Sequence, residues 1–418
     1  MSEQIKQPLK TASQALEILL AKAQNVKETE LVTVQDALYR VLAVDQVSHV
    51  SVPPADNTQM DGYVMRAADV KEIGAVLPVS QRIPAGSVGV TLKPGTMARI
   101  FTGANIPDGA DAVVMQEDCE VLTQPNMEGL DYTVRVNQIP NSGQWVRRSG
   151  EDIQAGHVVL SKGTFLRPQE LGVAASAGIT HLEVFRRVKV ALFFTGDELT
   201  LPGQPLKPGG IYNSNRDTLL ACIKSLGCEA TDFGIVPDTL ESTRQTLRQA
   251  AIGHDLIVTS GGVSVGEEDH IKPAVSAEGS LDMWQIAIKP GKPLAFGQIP
   301  KGSSDQTWFM GLPGNPVSSF VTFLLFVQPF ILALQGRKNR PLQRFPLKAN
   351  FVWTKPDRRN EFLRVRINDA GTVDLFANQS SGVLTSAAWG DGLIDVPAGT
   401  KIAEGDTVHF MPFSQFFN

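Results

Sequence analysis

A chain of 418 residues is too long for one hydrophobic core, and domains of ~100–200 residues predict two to four of them. Its 42% hydrophobic and 19% charged residues exclude global disorder, and a net charge of −5 argues against a nucleic-acid binder while leaving room for a locally basic cleft. Three cysteines, Cys119, Cys222 and Cys228, form neither a CxxC nor a zinc-finger spacing, which argues against a disulfide framework and fits a reducing compartment.

The first two dozen residues lack the continuous apolar stretch of a signal peptide. Residues 12–23 instead repeat apolar side chains at helical spacing, behind Thr11 and Gln14 placed as a capping box. A second, short helix is expected over 35–43. From about 47 to 150 the texture changes to Gly, Pro and short β-branched runs such as 76–79 and 112–115, predicting a small β-rich domain with long loops. From Arg187 strands and helices alternate. Residues 188–194 form a continuous apolar run, as a buried parallel strand should. A helix follows through Leu219, Leu220, Ile223 and Leu226 and closes at Gly227; a strand over 231–236, a helix over 240–251 and a strand over 255–259 come next. Further strands are expected at 281–288 and 307–312, and a long helix at 316–334. This alternation predicts a doubly wound, open parallel α/β sheet. The apolar run 320–334 falls short of the ~20 residues that span a bilayer and contains Gln328 and Pro329, so it reads as a buried helix. After Pro341, residues 345–413 alternate short β runs with Gly and Asp turns, predicting a small C-terminal β-barrel or sandwich. The chain is expected to be soluble and cytoplasmic.

In an open parallel sheet, ligands bind beyond the carboxyl ends of the strands. The loops there carry small, polar and acidic residues: Thr195-Gly196-Asp197-Glu198, then Ser260-Gly261-Gly262-Val263-Ser264-Val265-Gly266-Glu267-Glu268-Asp269. Glycines let the backbone approach a phosphate, Ser260 and Ser264 offer hydroxyls, and the carboxylates can hold a metal ion. Either loop alone reads equally well as a tight turn with exposed acids. Ile288-Lys289-Pro290-Gly291-Lys292-Pro293 adds two lysines braced by prolines, suited to a polyphosphate or oxyanion. Gly311-Leu312-Pro313-Gly314-Asn315-Pro316-Val317-Ser318-Ser319 leads into the long helix with Asn315 at the N-cap and Pro316 at the first position, leaving free N–H groups for an anion or serving plain capping. Together the three loops point to a metal-assisted phosphate site. Among the six histidines there is no HExxH and no i, i+4 pair; no P-loop and no GxSxG elbow occurs.

TGDEL, SGGVSVGEEDH, IKPGKP and GLPGNPVSS, in this order, resemble the molybdopterin molybdenumtransferase family, whose pattern the C-terminal enzymatic domain of gephyrin shares. In the N-terminal half, Asp56-Asn57-Thr58-Gln59-Met60-Asp61-Gly62-Tyr63 is similar to the family's DNSAMDGY, with Thr58-Gln59 where Ser-Ala is usual. Thr102-Gly103-Ala104, Gly109 to Val114 and Gly150-Glu151-Asp152 are similar to its TGAP, GADAVV and GED stretches. The resemblance implies an elongated homodimer of multidomain α/β plus β subunits. An α/β domain (1–27 plus 184–336), a linker domain (28–47 plus 150–183), a distal β-rich domain (48–149) and a C-terminal β-barrel (337–418) make up each one. The active site is then shared between the α/β domain of one subunit and the distal domain of the other. The implied reaction inserts molybdate into adenylylated molybdopterin and releases AMP with Mg2+ present.

On that basis Lys289, Lys292 and Arg364 gather the negative charge, with Ser264, Asn315, Ser318 and Ser381 (or its neighbour Ser380) as further substrate contacts. Asp269 and Glu198 are the leading catalytic and metal-holding carboxylates, with Asp197 and Asp238 behind them. Asp61, Thr102 and Asp152 reach in from the second subunit. The molybdopterin adenylyltransferase, whose fold resembles residues from about 187 to 335, and proteins that handle the finished cofactor are the implied exchange partners. That adenylyltransferase activity itself, or a non-catalytic gephyrin-like scaffold, are the alternative readings. Neither nucleic acid nor membrane is implied as a partner.

Overall fold

The structure, a computed structural model, describes residues 9–123, 130–263, 270–302, 305–338 and 341–417, without the side chains of 283 and 284. Helix α1 (Ala12–Lys22) begins as a capping box requires: Thr11 Oγ1 accepts from the Gln14 N–H, and Gln14 Oε1 accepts from the Thr11 N–H. Its buried residues, Ala15 and Leu19, join a core built mainly from residues after 185. Strand β1 (Thr29–Thr33) follows. The helix expected over 35–43 is only a single 3-10 turn, Gln35–Ala37. Beyond it Val41 and Leu42 form β-bridges to Phe165 and Val184, so tertiary pairing overrides a weak local propensity.

Six strands between residues 62 and 136 form one sheet: β2 (Gly62–Met65), β3 (Ala75–Ile83), β4 (Met97–Ile100), β5 (Ala112–Met115), β6 (Cys119–Val121) and β7 (Thr133–Val136). The spatial order is β5-β2-β4-β3-β7-β6, with β3 and β4 the parallel neighbours. Side-chain alternation splits its apolar residues between two clusters, Tyr63 and Met65 in one and Val64 in the other. The chain then returns through α2 (Pro168–Ser176) to β8 (His181–Phe185), which pairs antiparallel with β1.

The alternating region contains β9 (Lys189–Thr195), α3 (Ser214–Ser225), β10 (Glu229–Val236), α4 (Leu240–Ala251), β11 (Leu256–Ser260), α5 (Ile271–Glu278), β12 (Ser280–Gln285), β13 (Ile288–Lys289), β14 (Pro293–Pro300), β15 (Gln306–Leu312) and α6 (Pro316–Leu334). The sheet order is β10-β9-β11-β15-β14-β12. It is mixed, not wholly parallel, because β14 runs antiparallel to both neighbours. Prolines stand only at its two ends, Pro293 and Pro300, where a missing N–H costs the ladder little. The run expected over 281–288 breaks in two, and β13 leaves this sheet altogether. Along β9, Val190, Leu192 and Phe194 face the core shared with α1, α3 and α6, while Ala191 and Phe193 face the core shared with α4 and α5. Both faces are covered, which is why the strand carries no polar alternation. Helix α6 is long and apolar enough to cross a bilayer, but 78% of its most apolar stretch is buried inside the protein. A π-helical stretch at Phe323–Val327 absorbs Pro329, which lacks an N–H and crowds the preceding turn.

The remaining strands, β16 (Phe345–Lys348), β17 (Asn360–Ile367), β18 (Val373–Leu375), β19 (Gly392–Val396) and β20 (Thr407–Pro412), form a sheet of order β13-β17-β19-β20-β16, with β18 also on β17. Its first strand, β13, is the start of the twin-lysine loop. The C-terminal sheet therefore reaches into the ligand edge of the α/β sheet.

Candidate active site

A cavity of about 930 Å³ opens at the carboxyl ends of β9, β11 and β15 and is closed on one side by loops of the C-terminal sheet. After β9, Gly196 has φ of 142°, and a Cβ there would stand 2.6 Å from Glu198 Oε2. Glycine at 196 is what lets the Glu198 carboxylate fold back over its own turn. After β11, Gly261 has φ of 100°, and a Cβ there would stand 2.9 Å from the Thr195 carbonyl oxygen. Asn215, in the first turn of α3, fastens these loops together. Its amide donates to Ser260 Oγ (2.8 Å) and to the Gly314 carbonyl (2.7 Å), while Ser260 Oγ donates to the Pro313 carbonyl (2.9 Å).

The twin-lysine loop is held from the C-terminal side. Parallel pairing of β13 with β17 sets Lys289 opposite Glu361. The Lys289 ammonium lies 2.9 Å from Glu361 Oε1 and 3.4 Å from Asp357 Oδ2. Glu361 is 2% exposed, and its other oxygen accepts from the Trp353 indole N–H (2.9 Å) and the Asp357 N–H (3.0 Å). A two-pronged contact from Arg359 (3.0 and 3.1 Å) holds the Asp357 carboxyl well below the usual carboxylate range, despite the opposing effect of burial. Lys292 is exposed and has no ion-pair partner among the described residues.

Of the residues expected from the sequence, Glu198, Asp238, Lys289, Lys292, Asn315, Ser318 and Ser381 line the cavity, and Ser380 does so beside Ser381. Asp197 is exposed and turned out of the lining. Ser264 and Asp269 lie outside the described residues. Two expectations are corrected. Arg364 does not line the cavity: it is 1% exposed, donates to Ser386 Oγ (3.0 Å), the Phe362 carbonyl (3.2 Å) and the Ser380 carbonyl (3.3 Å), and burial pushes its guanidinium down to about 10. It braces the Ser380–Ser381 loop from behind, and the cavity-lining arginine is Arg359. The start of α6 is also less open than expected. Asn315 makes no side-chain capping bond, and the Val317 N–H already donates to the Ser381 carbonyl (2.9 Å). What remains toward the cavity is Ser318. Asp61 and Thr102 are together elsewhere, with Asp61 Oδ1 accepting from the Thr102 N–H (2.8 Å) and hydroxyl (2.7 Å); neither they nor Asp152 line this chain's own cavity. The N–H bond from Thr102 is the main reason the Asp61 carboxyl titrates lower than usual.

Residues 10–178 match the family profile of the MoeA N-terminal region (domain I and II), 191–333 that of a probable molybdopterin binding domain, and 346–413 that of the MoeA C-terminal region (domain IV). The chain is similar to the molybdopterin molybdenumtransferase of Haemophilus influenzae, 37% identical over 412 residues that cover 97% of this chain and 98% of the relative. The chain belongs to the molybdopterin molybdenumtransferase family. Molybdopterin molybdenumtransferase 2 of Mycobacterium tuberculosis is 35% identical over 88% of this chain and 92% of its own. Among solved structures, the molybdopterin biosynthesis moeA protein of Pyrococcus horikoshii OT3 superposes with a TM-score of 0.80 at 27% identity, covering 97% of this chain and all of that one.

For a transferase of this family the cavity's donor set can be tested against magnesium. Mg2+ takes hard oxygen ligands and is usually held by one or two carboxylates together with substrate phosphates. Glu198 and Asp238 bring such oxygens to the wall, and no group of three metal-ligating side chains forms among the described residues. That set fits an ion shared with a phosphate-bearing ligand, and does not fit a closed protein cage. Sequence reasoning missed Asn213, Asn215, Asp357, Arg359 and Glu361. The Asn213-Ser214-Asn215 run just before a helix was the available signal for the first two, since paired amides at a strand-to-helix turn can cap and bridge.

Proposed function

We infer that this chain inserts molybdenum into molybdopterin during molybdenum cofactor biosynthesis, acting on the adenylylated form with molybdate and releasing AMP. The observation that carries the reading is the cavity itself, whose lining holds Lys292, Arg359 and Lys289, the hydroxyls of Ser318, Ser380 and Ser381, and the carboxylates of Glu198 and Asp238. Molybdate is a tetrahedral dianion and the phosphoanhydride of the substrate adds further negative charge. Lys292 offsets that charge, Lys289 and Arg359, already paired with carboxylates, contribute positioned donors, and the serine hydroxyls donate to anion oxygens. Glu198 and Asp238 would hold Mg2+ against the phosphates, together with Asp269; when bound, the ion supplies charge stabilisation at phosphorus. The wall of Asn215, Ser260 and the Pro313–Gly314 backbone fixes loop positions so that little reorganisation accompanies binding.

The subunit divides as 1–27 plus 184–336, 28–47 plus 150–183, 48–149 and 337–418, and works as a homodimer in which Asp61, Thr102 and Asp152 of one copy complete the cavity of the other. Support for that arrangement is the separation of the Asp61–Thr102 pair from its own chain's cavity. Cytoplasmic location is favoured by three unpaired cysteines, and handover from a molybdopterin adenylyltransferase by the chemistry of the substrate. Incubation with adenylylated molybdopterin and molybdate should release AMP, and Lys292→Ala should lower that rate at least ~10-fold. Release of pyrophosphate from ATP and molybdopterin, with no AMP from the adenylylated substrate, would sink the reading in favour of adenylyl transfer.

A further inference from the structure

The sheet between residues 62 and 136 carries a charge arrangement that the cavity chemistry does not use. Arg82 on β3 and Arg99 on β4 are direct cross-strand neighbours in a parallel pair. Like charges placed opposite one another on adjacent strands destabilise a sheet. Neither guanidinium has an ion-pair partner among the described residues. Both lie over one ring instead, Arg82 and Arg99 each 4.7 Å from the centroid of Phe101, and Arg99 is also 5.2 Å from that of Tyr63. A ring's negative face offsets part of the repulsion, by ~0.5–1 kcal/mol per exposed contact.

Arg99 is anchored by neutral groups, donating to the Gly62 carbonyl (3.0 Å) and to Gln116 Oε1 (2.6 Å), and the Gln116 amide in turn donates to Glu117 (3.2 Å). Arg82 is exposed and its guanidinium makes no hydrogen bond among the described residues. Phe101 is followed at once by Thr102, and Gly62 is preceded by Asp61, so the stacked arginines border the locked Asp61–Thr102 pair. Asp61 Oδ1 is engaged by Thr102, and Oδ2 has no partner among the described residues. The surface therefore offers two ring-stacked cations and one free carboxylate oxygen side by side. A ligand that satisfies all of them is anionic and presents an N–H or O–H donor.

We propose that Arg82, Arg99 and Phe101, bordering Asp61 and Thr102, form a binding surface for the phosphoanhydride of a nucleotide-linked ligand, with Asp61 taking a donor from the same molecule. Assigning that ligand as adenylylated molybdopterin in the second copy's cavity rests on the function proposed above. The surface explains why a sheet keeps two arginines side by side with only the Asp61 carboxylate near Arg99 to balance them: the remaining repulsion is relieved when the anion arrives.

The test uses the full chain and ADP as the phosphoanhydride probe, titrated by calorimetry against wild type, R82Q and R82K, with melting temperatures measured in parallel. R82Q should weaken ADP binding about 10-fold, R82K should retain most of it, and the R82Q melting temperature should stay level or rise because a like-charge contact is gone. Wild-type affinity in R82Q, no ADP binding by wild type, or an affinity loss that appears only with a lowered melting temperature overturns the proposal. The companion measurement is AMP release from adenylylated molybdopterin. If wild type releases none while R82Q still weakens ADP, the functional reading fails and the surface stands. If R82Q turns over with the wild-type KM, the surface assignment fails and the function stands.

Discussion

Glu361→Gln is the sharpest perturbation of the cavity, because it changes one charge on a residue that does not itself line it. Glu361 is 2% exposed, and its Oε1 has only the Lys289 ammonium as partner, at 2.9 Å. Its Oε2 accepts from Trp353 and from the Asp357 N–H. Glutamine keeps one oxygen for those two donors and turns its amide N–H groups toward Lys289, replacing attraction by donor–donor repulsion. The contact is an ion pair, and partly exposed ion pairs contribute up to ~1 kcal/mol. The Lys289 side chain is 42% exposed and retains Asp357 at 3.4 Å, so replacing this attraction by donor–donor repulsion costs about 1–1.5 kcal/mol. That cost falls on holding Lys289 in place, and 1.4 kcal/mol is tenfold in an equilibrium constant. The expected result is a KM for adenylylated molybdopterin or molybdate raised ~10-fold with kcat changed little, read from steady-state AMP release at varied concentrations of each. A double-mutant cycle with Lys289→Met separates positioning from general loosening. If Glu361→Gln costs as much in the Lys289→Met background as in wild type, Glu361 does not act through Lys289 and the reasoning is refuted.

Two further outcomes follow from local geometry. Gly291 has φ of 106°, and a Cβ there would collide with Thr322 Oγ1 on α6, so Gly291→Ala should cost ~2 kcal/mol or more in urea unfolding of the transition involving the α/β core, and weaken ADP binding with it; unchanged midpoint and affinity would contradict the close packing. Glu278 is held down to about 2, chiefly by its hydrogen bond from Arg248, with Arg244 adding to it. Its folded value lies below the model-peptide carboxylate range, so the stabilisation is present above about pH 4.5 and is lost as pH falls toward 2. Glu278→Gln should therefore lower stability at pH 7 and make it less sensitive to pH across that window, measured by urea midpoints at several pH values; a parallel acid profile in both proteins would exclude the contribution.

Much of the fold was legible because its signals are local. The helix at 240–251 is bounded by Thr239, whose hydroxyl accepts from the Ser242 N–H, and the observed bounds agree with the expected ones. Strands β9 and β11 announce themselves as continuous apolar runs. What escaped detection depends on partners remote in sequence. Strand β14 is framed by prolines and exists because β15 and β12 pair with it on either side. The 35–43 helix lost its residues to bridges with Phe165 and Val184. In the cavity, Lys289, Lys292 and Ser318 could be read from loops at strand ends, since the topology itself puts such loops on one edge. The choice between Arg359 and Arg364 could not. Both precede or occupy the same strand, and only the side chain's face of the C-terminal sheet decides which one meets the ligand.

That sheet changes how the anion site must be understood. The twin-lysine loop belongs by sequence to the α/β unit, yet its first two residues are a strand of the C-terminal sheet, in register with Asn360 and Glu361. Lys289 and Arg359, the two paired cations of the cavity, are both neutralised by carboxylates from residues 357–361. An α/β unit lacking those residues would present Lys289 without its counter-charges, as a mobile ammonium on a surface loop. With them, the lysine is fixed in place before any ligand arrives, and Lys292 alone stands unpaired among the described residues to supply uncompensated attraction. Positioning and attraction are thus divided between two lysines three residues apart, the first held by the C-terminal sheet and the second left free for the anion.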